Sequence, residues 1–276
     1  MKTIEPHNLG SWDDYRSQIQ AIRDKYGLRQ TEYGNRKNTI LFRGHANACW
    51  PIETTLERCT TKTFDVSGYV RYASRCSSEL ESLTGKKWDI PSRSDLEIEI
   101  QKEQGQSWWD AYLPCYDYLV YLRHHGFPSP LLDWTTSPYI AAYFAYCDRS
   151  SCGRVAVYAY IETPTGGKTS FNTPTIKLMG PYVSTHSRHF AQKAWYTIAT
   201  ECDDKNKPHI FCSHSDIFAR GQRDQDVLIK ITMPSCDRIK ALTELNDYNI
   251  NHFTLFQTED ALVKAMALKV FELEGT

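Results

Sequence analysis

The run Leu131-Leu132-Asp133-Trp134-Thr135-Thr136-Ser137-Pro138-Tyr139-Ile140-Ala141-Ala142-Tyr143-Phe144-Ala145 limits what this chain can fold into more than any other segment. Leu131 to Ser137 reads as a strand. Pro138 reads as the opening of a helix through Ala145, because proline is tolerated in the first helical turn. Ala141, Ala142 and Ala145 are small, so that helix can lie close to its neighbour. The hydroxyls of Thr135, Thr136 and Ser137 fall at the strand-to-helix junction, beside the positive end of the helix, where anionic groups are favoured. Capping explains one of them, with Thr136 or Ser137 as the cap and Asp133 tying the turn. It does not explain the whole polar cluster.

Around this unit the pattern predicts further elements. A helix opens at Ser11-Trp12-Asp13-Asp14, with Trp12, Ile19 and Ile22 on one face. Asn38 to Gly44 reads as a strand, about 64–84 as helical up to Gly85, and about 95–125 as mostly helical with a break at Pro114. Arg154–Ile161, Gln192–Ile198 and Val227–Met233 read as strands, the last stopped by Pro234. Glu162–Pro181 and Asp203–His209 read as loops, and about 236–246 and 258–271 as helices. No linker or repeat interrupts the 276 residues. The expectation is therefore one domain over 1–276, helix-rich in its N-terminal half and strand-rich in its C-terminal half. That makes an α+β fold with a mixed or antiparallel central sheet.

Two more segments carry chemistry. In Ile40-Leu-Phe-Arg-Gly-His-Ala-Asn-Ala-Cys-Trp50, Arg43 ends an apolar strand, and Gly44 permits close approach of backbone or ligand. The Arg43 guanidinium offers a donor fork for phosphate or carboxylate. A structural ion pair is the equal alternative. In Ser187-Arg-His-Phe-Ala-Gln-Lys-Ala-Trp-Tyr-Thr-Ile198, Gln192 leads a basic turn into an aromatic strand and can fix a ribose or an amide. A surface glutamine at a strand start is the competing reading.

Charge and cysteines narrow the classes. Lys+Arg is 32 against Asp+Glu 33, a net charge of -1, which favours neither a nucleic-acid coat nor a polybasic membrane binder. No apolar run approaches the roughly 18 residues of a membrane span, and Met1–Tyr15 has no apolar leader core. The nine cysteines form no CxxC pair, so reduced thiols without metal, in a cytoplasmic setting, are expected.

These segments resemble the FRG domain family, named for the Phe-Arg-Gly that here is Phe42-Arg43-Gly44. The family's long second signature is matched by His125 through Ala145. Its third fits Arg188, Ala191, Gln192 and Tyr196, and a late pattern fits Leu255, Phe256, Asp260, Ala261 and Leu262. Ala194 stands where the family usually has Gly, and Gln257 where it usually has Pro. A weaker resemblance, in the order of segments, is to the ADP-ribosyltransferases.

That second resemblance implies an ADP-ribosyltransferase-like fold and NAD as cofactor. It implies a toxin or antiviral effector modifying a nucleic acid or protein, with an antitoxin or regulatory partner and no membrane. Arg43, Thr136, Ser137 and Gln192 would be catalytic, with Glu259 and Asp260 in reserve for the position of Gln192. Arg43, Gly44, His45, His125, Asp133, Trp134 and Tyr143 would hold the dinucleotide. The alternatives are an NAD glycohydrolase, a nucleotide- or nucleic-acid-binding module without chemistry, and, last, a metal hydrolase using His124, His125 and Asp133. Adjacent histidines point apart, which disfavours that last reading.

Overall fold

The structure is a computed structural model describing residues 2–31, 34–92, 94–95, 113–164, 174–180, 187–202, 208–220 and 226–273. Its strands are β1 (Lys2–Asn8), β2 (Leu28–Thr31), β3 (Gly34–Lys37), β4 (Ile40–His45), β5 (Leu132–Thr135), β6 (Arg154–Glu162), β7 (Thr175–Met179), β8 (Ala194–Glu201), β9 (Ile210–Phe211) and β10 (Asp226–Pro234). Eight of them form one sheet in the order β1-β10-β6-β4-β5-β8-β7, with β9 on β8, and β2-β3 form a separate hairpin. β1 runs parallel to β10 and every other pairing in the sheet is antiparallel. The fold is thus α+β with a mixed sheet, as the helix-rich first half and strand-rich second half implied.

Several local expectations hold for identifiable reasons. Ser11 and Asp14 form a reciprocal capping box that starts the first helix, and Trp12, Tyr15, Ile19 and Ile22 are its buried face. Gly85 ends the helix Ser77–Thr84 in the left-handed region. Ser137 caps the helix Pro138–Tyr146, accepting from the Ile140 amide.

Three local readings change. β1 was hidden by Pro6, which sits where the register shifts between Ile4 and His7 on an edge strand, a place that tolerates proline. β7 lies inside the expected loop Glu162–Pro181; Thr175-Ile-Lys-Leu-Met pairs with Tyr196–Thr200. Gln192 is not in a strand. It follows the short helix Ser187–Ala191, and β8 begins only after Lys193 turns the chain at a φ of 47°. The expectations over 96–112 and 203–207 lie outside the described residues.

The packing defines where a site can be. On one face, Phe42, Val157, Ile229 and their neighbours are covered by the helices Tyr15–Tyr26, Pro138–Tyr146 and Arg238–Asp247. On the same face of the other half-sheet, Tyr196 and Ile198 are covered by the helices Val66–Ala73 and Tyr116–His124. The opposite face carries a third core that includes Leu41, Trp134 and Tyr160. β4 pairs with β6 from Ile40 to His45 and β5 pairs with β8 from Leu132 to Thr135. Between β4 and β5 only Phe42↔Thr135 is paired. The two half-sheets therefore part immediately beyond Phe42.

Gly44 serves helix packing at that seam. A Cβ there would stand 1.9 Å from the Ala141 carbonyl oxygen and 2.6 Å from the Ala145 amide nitrogen, both backbone atoms. The small residues of the helix and the glycine of the strand thus form one contact. We expect Gly44→Ala to destabilise the protein by at least about 1–3 kcal/mol through overpacking. Urea unfolding of the variant checks this; an unchanged midpoint would contradict so close a contact.

Candidate functional site

A cleft of about 680 Å³ opens where β4 and β5 part, within the size range of small-molecule and cofactor sites. Phe42, Gly44, Ala141 and Phe144 line one side; Arg123, His124, Asp133, Ala194 and Tyr196 line the other. Arg43, His45, Trp134 and Thr135 line it at the junction, Trp50 and Glu53 lie on the loop after β4, and Arg188, Gln192 and Phe256 close it from the C-terminal segments.

Arg43 is the centre of this arrangement. Its Nε donates to His45 Nε2 at 3.0 Å, and its Nη1 donates to the Asp133 carbonyl at 2.9 Å. That carbonyl lies where β4 and β5 have stopped pairing, so the side chain takes the place of a ladder donor. Leaving a buried carbonyl unpaired would cost about 1–3 kcal/mol. Nη2 makes no hydrogen bond to the described residues. Burial brings the Arg43 pKa down to about 10; Asp133 opposes this and Arg123 adds to it. The guanidinium is still cationic at neutral pH.

The neighbours fix the charge. Arg123 Nη2 pairs with Asp133 Oδ2, from which Arg43 Nη1 stands 4.0 Å away. Two guanidinium groups thus share one carboxylate. Arg123 Nε is buried without a hydrogen-bond partner among the described residues, and four lining arginines (43, 58, 123, 188) face three lining carboxylates (Glu53, Asp133, Asp148). Donors exceed acceptors, which suits an anionic guest. His45 accepts from Arg43 at Nε2, so it is neutral there; burial and then Arg43 push its pKa down to about 3.

The predicted residues are only partly brought together. Arg43, Gly44, His45, Asp133, Trp134 and Gln192 line the cleft. Trp134 does so from the interior, its indole donating to Thr197 Oγ1, which pairs in turn with His214. Thr136 faces a different hollow, with Arg23, Lys37 and Thr39. Ser137 is spent as the helix cap, and Thr135 Oγ1 accepts from the Ser137 amide. Tyr143 is core, with its hydroxyl against His252 Nδ1. His125 lies against the Tyr121 ring rather than in the lining. Glu259 and Asp260 are exposed in the first turn of the helix Glu259–Leu268. His124 bonds the Tyr196 hydroxyl, and among the described residues no three His, Cys, Asp or Glu side chains form a metal-binding group.

The structure adds residues the sequence did not single out. Phe144 is one position along from Tyr143 and faces the cleft instead. Trp50, 54% exposed, stands over one rim. Phe256 packs edge-on to Phe144, with the Arg188 guanidinium 5.5 Å above its ring. Gln192 Nε2 donates to the Leu255 carbonyl, binding its turn to the helix His252–Phe256. Glu53 is a half-buried carboxylate at the cleft. Phe144 and Phe256 carried a signal, the first as a fixed position of the second signature and the second as part of the late sequence pattern.

Residues 38–153 match the family model of the FRG domain. The match takes in β4, β5 and the helix Pro138–Tyr146; Arg188–Tyr196 and Leu255–Leu262 lie beyond it. No curated protein and no solved structure matches the chain. Among the described residues no helix is long and apolar enough to cross a membrane.

Two buried neutral histidines predict the pH response. His45 and the fully buried His214 are both pushed down to about 3, chiefly by desolvation. Unfolded histidine titrates near 6.5. Between about 6.5 and 3 the unfolded state binds more protons, so stability falls as pH falls. Each histidine contributes up to about 1.4 kcal/mol per pH unit. Unfolding free energies measured at pH 7, 6 and 5 should decline progressively more steeply; a flat profile would contradict neutral burial of these two rings.

Proposed function

We propose that this FRG-domain chain binds an NAD-type dinucleotide in the β4–β5 cleft and transfers its ADP-ribose moiety to an acceptor. One observation carries the reading. Arg43, Thr135 and Gln192 lie on or beside three adjacent strands, β4, β5 and β8, and share one cleft. This is the order in which the sequence resembles the ADP-ribosyltransferases. The donor set also fits the group. The Arg43 and Arg123 side chains in the lining would supply cationic donors for pyrophosphate oxygens, and Trp50, Phe144 and Phe256 aromatic surface for planar rings.

NAD supplies an activated bond between the nicotinamide nitrogen and a ribose carbon, whose cleavage leaves positive charge on the ribose. The residues here have three tasks around that bond. Arg43, held from two sides, anchors the phosphates without reorganising. Gln192 Oε1 accepts from a ribose hydroxyl while Nε2 stays on Leu255. Glu53 supplies the negative charge that a neutral glutamine lacks. In this reading the acceptor is a nucleic acid or protein and the chain is an effector; water as acceptor would make it a glycohydrolase.

The test is incubation of the purified chain with NAD, following released nicotinamide and labelled acceptor. Arg43→Ala should weaken apparent NAD affinity about ten- to hundredfold, from the loss of a charge-assisted contact worth about 1.5–3 kcal/mol. Glu53→Gln should lower kcat with little change in KM, and Gln192→Ala should cost about tenfold or less. Nicotinamide release without a labelled acceptor would indicate hydrolysis. An Arg43→Ala protein that folds and works at the parental rate would refute the site.

A further inference from the structure

Beside the cleft lies a pair of thiols that the proposed chemistry does not use. Cys49 and Cys152 are 103 residues apart in sequence, yet their Sγ atoms are 3.8 Å apart. The backbone holds them there. β4 and β6 are antiparallel with His45 opposite Ala156, and the Ala48 amide continues the pairing by donating to the Arg154 carbonyl at 3.0 Å. Both loops are braced locally: the Cys49 amide donates to Asn47 Oδ1, and Ser150 Oγ bonds both the amide and the carbonyl of Cys152. Lys230 Nζ donates to the Ala48 carbonyl at 2.6 Å, placing an ammonium at the same spot.

The surroundings divide the labour between the two sulfurs. The Arg154 amide and the Cys49 thiol favour the Cys152 thiolate, and Lys230 adds to this. The neighbouring Cys152 shifts the Cys49 thiol the other way. Cys49 is exposed and Cys152 partly so, which lets a small reagent reach them. Cys147 makes the contrast: its Sγ donates to the Phe144 carbonyl and burial raises its pKa to about 12. A disulfide needs the sulfurs at about 2.05 Å, an approach of about 1.8 Å that two surface loops can supply.

We propose that Cys49 and Cys152 form a reversible disulfide that staples the loop after β4 to the turn before β6 at the mouth of the cleft. The loop carries Trp50 and the turn follows Cys147 and Asp148, all cleft-lining residues, so the staple would fix two parts of the rim to one another. The oxidant is a low-molecular-weight disulfide such as oxidised glutathione. The Cys152 thiolate attacks one of its sulfurs and releases one glutathione thiolate. Cys49 gives its proton to solvent, attacks the Cys152 sulfur and releases the second. Two protein thiols are oxidised and one small disulfide is reduced to two thiols. The pairing depends on the loop geometry and not on what the cleft binds.

The experiment titrates the intact protein with oxidised glutathione, quenches with an alkylating agent and maps peptides by mass. A linked Cys49–Cys152 peptide, lighter by two hydrogens and restored by dithiothreitol, should appear before any other pair. In Cys49→Ser, Cys152 should accumulate bound glutathione because its resolving thiol is gone; in Cys152→Ser, Cys49 should stay mostly free at the same oxidant level. A native protein in which the two cysteines end as separate glutathione adducts, remain alkylated, or pair first with other cysteines would overturn the proposal.

Discussion

Everything distinctive in this fold depends on the parting of β4 from β5 beyond a single ladder pair, Phe42↔Thr135. Strands that separate expose backbone groups, and such groups need partners. Here the replacement is a side chain: Arg43 reaches across and donates to the Asp133 carbonyl. The gap is held open from the other side by close packing. Gly44 lets the helix Pro138–Tyr146 approach β4 to backbone contact, so β4 is bound to β6 and that helix rather than to β5. The two half-sheets then carry separate cores on one face, and the cleft lies between them.

This makes the choice between a structural and a functional Arg43 a false one. The same guanidinium supplies a donor to the backbone of the seam and lines the cleft. A cation so placed pays its desolvation cost whether or not a ligand is present, and the Asp133 carboxylate it shares with Arg123 offsets only part of it. An anion would complete the balance. His45 follows from the same demand. It must accept from Arg43, so it must be neutral, and burial holds it so.

The sequence made the frame of the site legible because that frame is local. Ser137, Pro138, Ala141 and Ala145 name a strand, a cap and a tightly packed helix in consecutive residues, and the structure places them so. Arg43 next to Gly44 was legible for the same reason. Side-chain direction was not. Tyr143 and Phe144 differ by one step, about 100° around the helix, and only the tertiary position of the helix decides which one meets the cleft. Thr136 follows Thr135, which lines the cleft, just past the end of β5, and meets the other hollow instead. β7 was concealed by the loop-forming Thr, Pro and Gly residues around it. Glu53 and Trp50 lay on a connecting loop, where no periodicity marks a residue as lining anything.

The extent of the family match agrees with this division. Residues 38–153 end before β8, yet they contain both strands at the seam, the glycine and the helix it admits. Those parts decide that a cleft exists and that a buried cation stands in it. The segments beyond, Arg188–Gln192 and Phe256, supply the remaining wall through Gln192 on the Leu255 carbonyl and Arg188 over Phe256. They are tied to the seam as well: Arg188 donates to the His124 carbonyl, and Phe256 packs edge-on to Phe144. The cleft is therefore built from two parts in contact with each other. The seam fixes charge and position. The later wall and the loop bearing Trp50 and Glu53 fix shape.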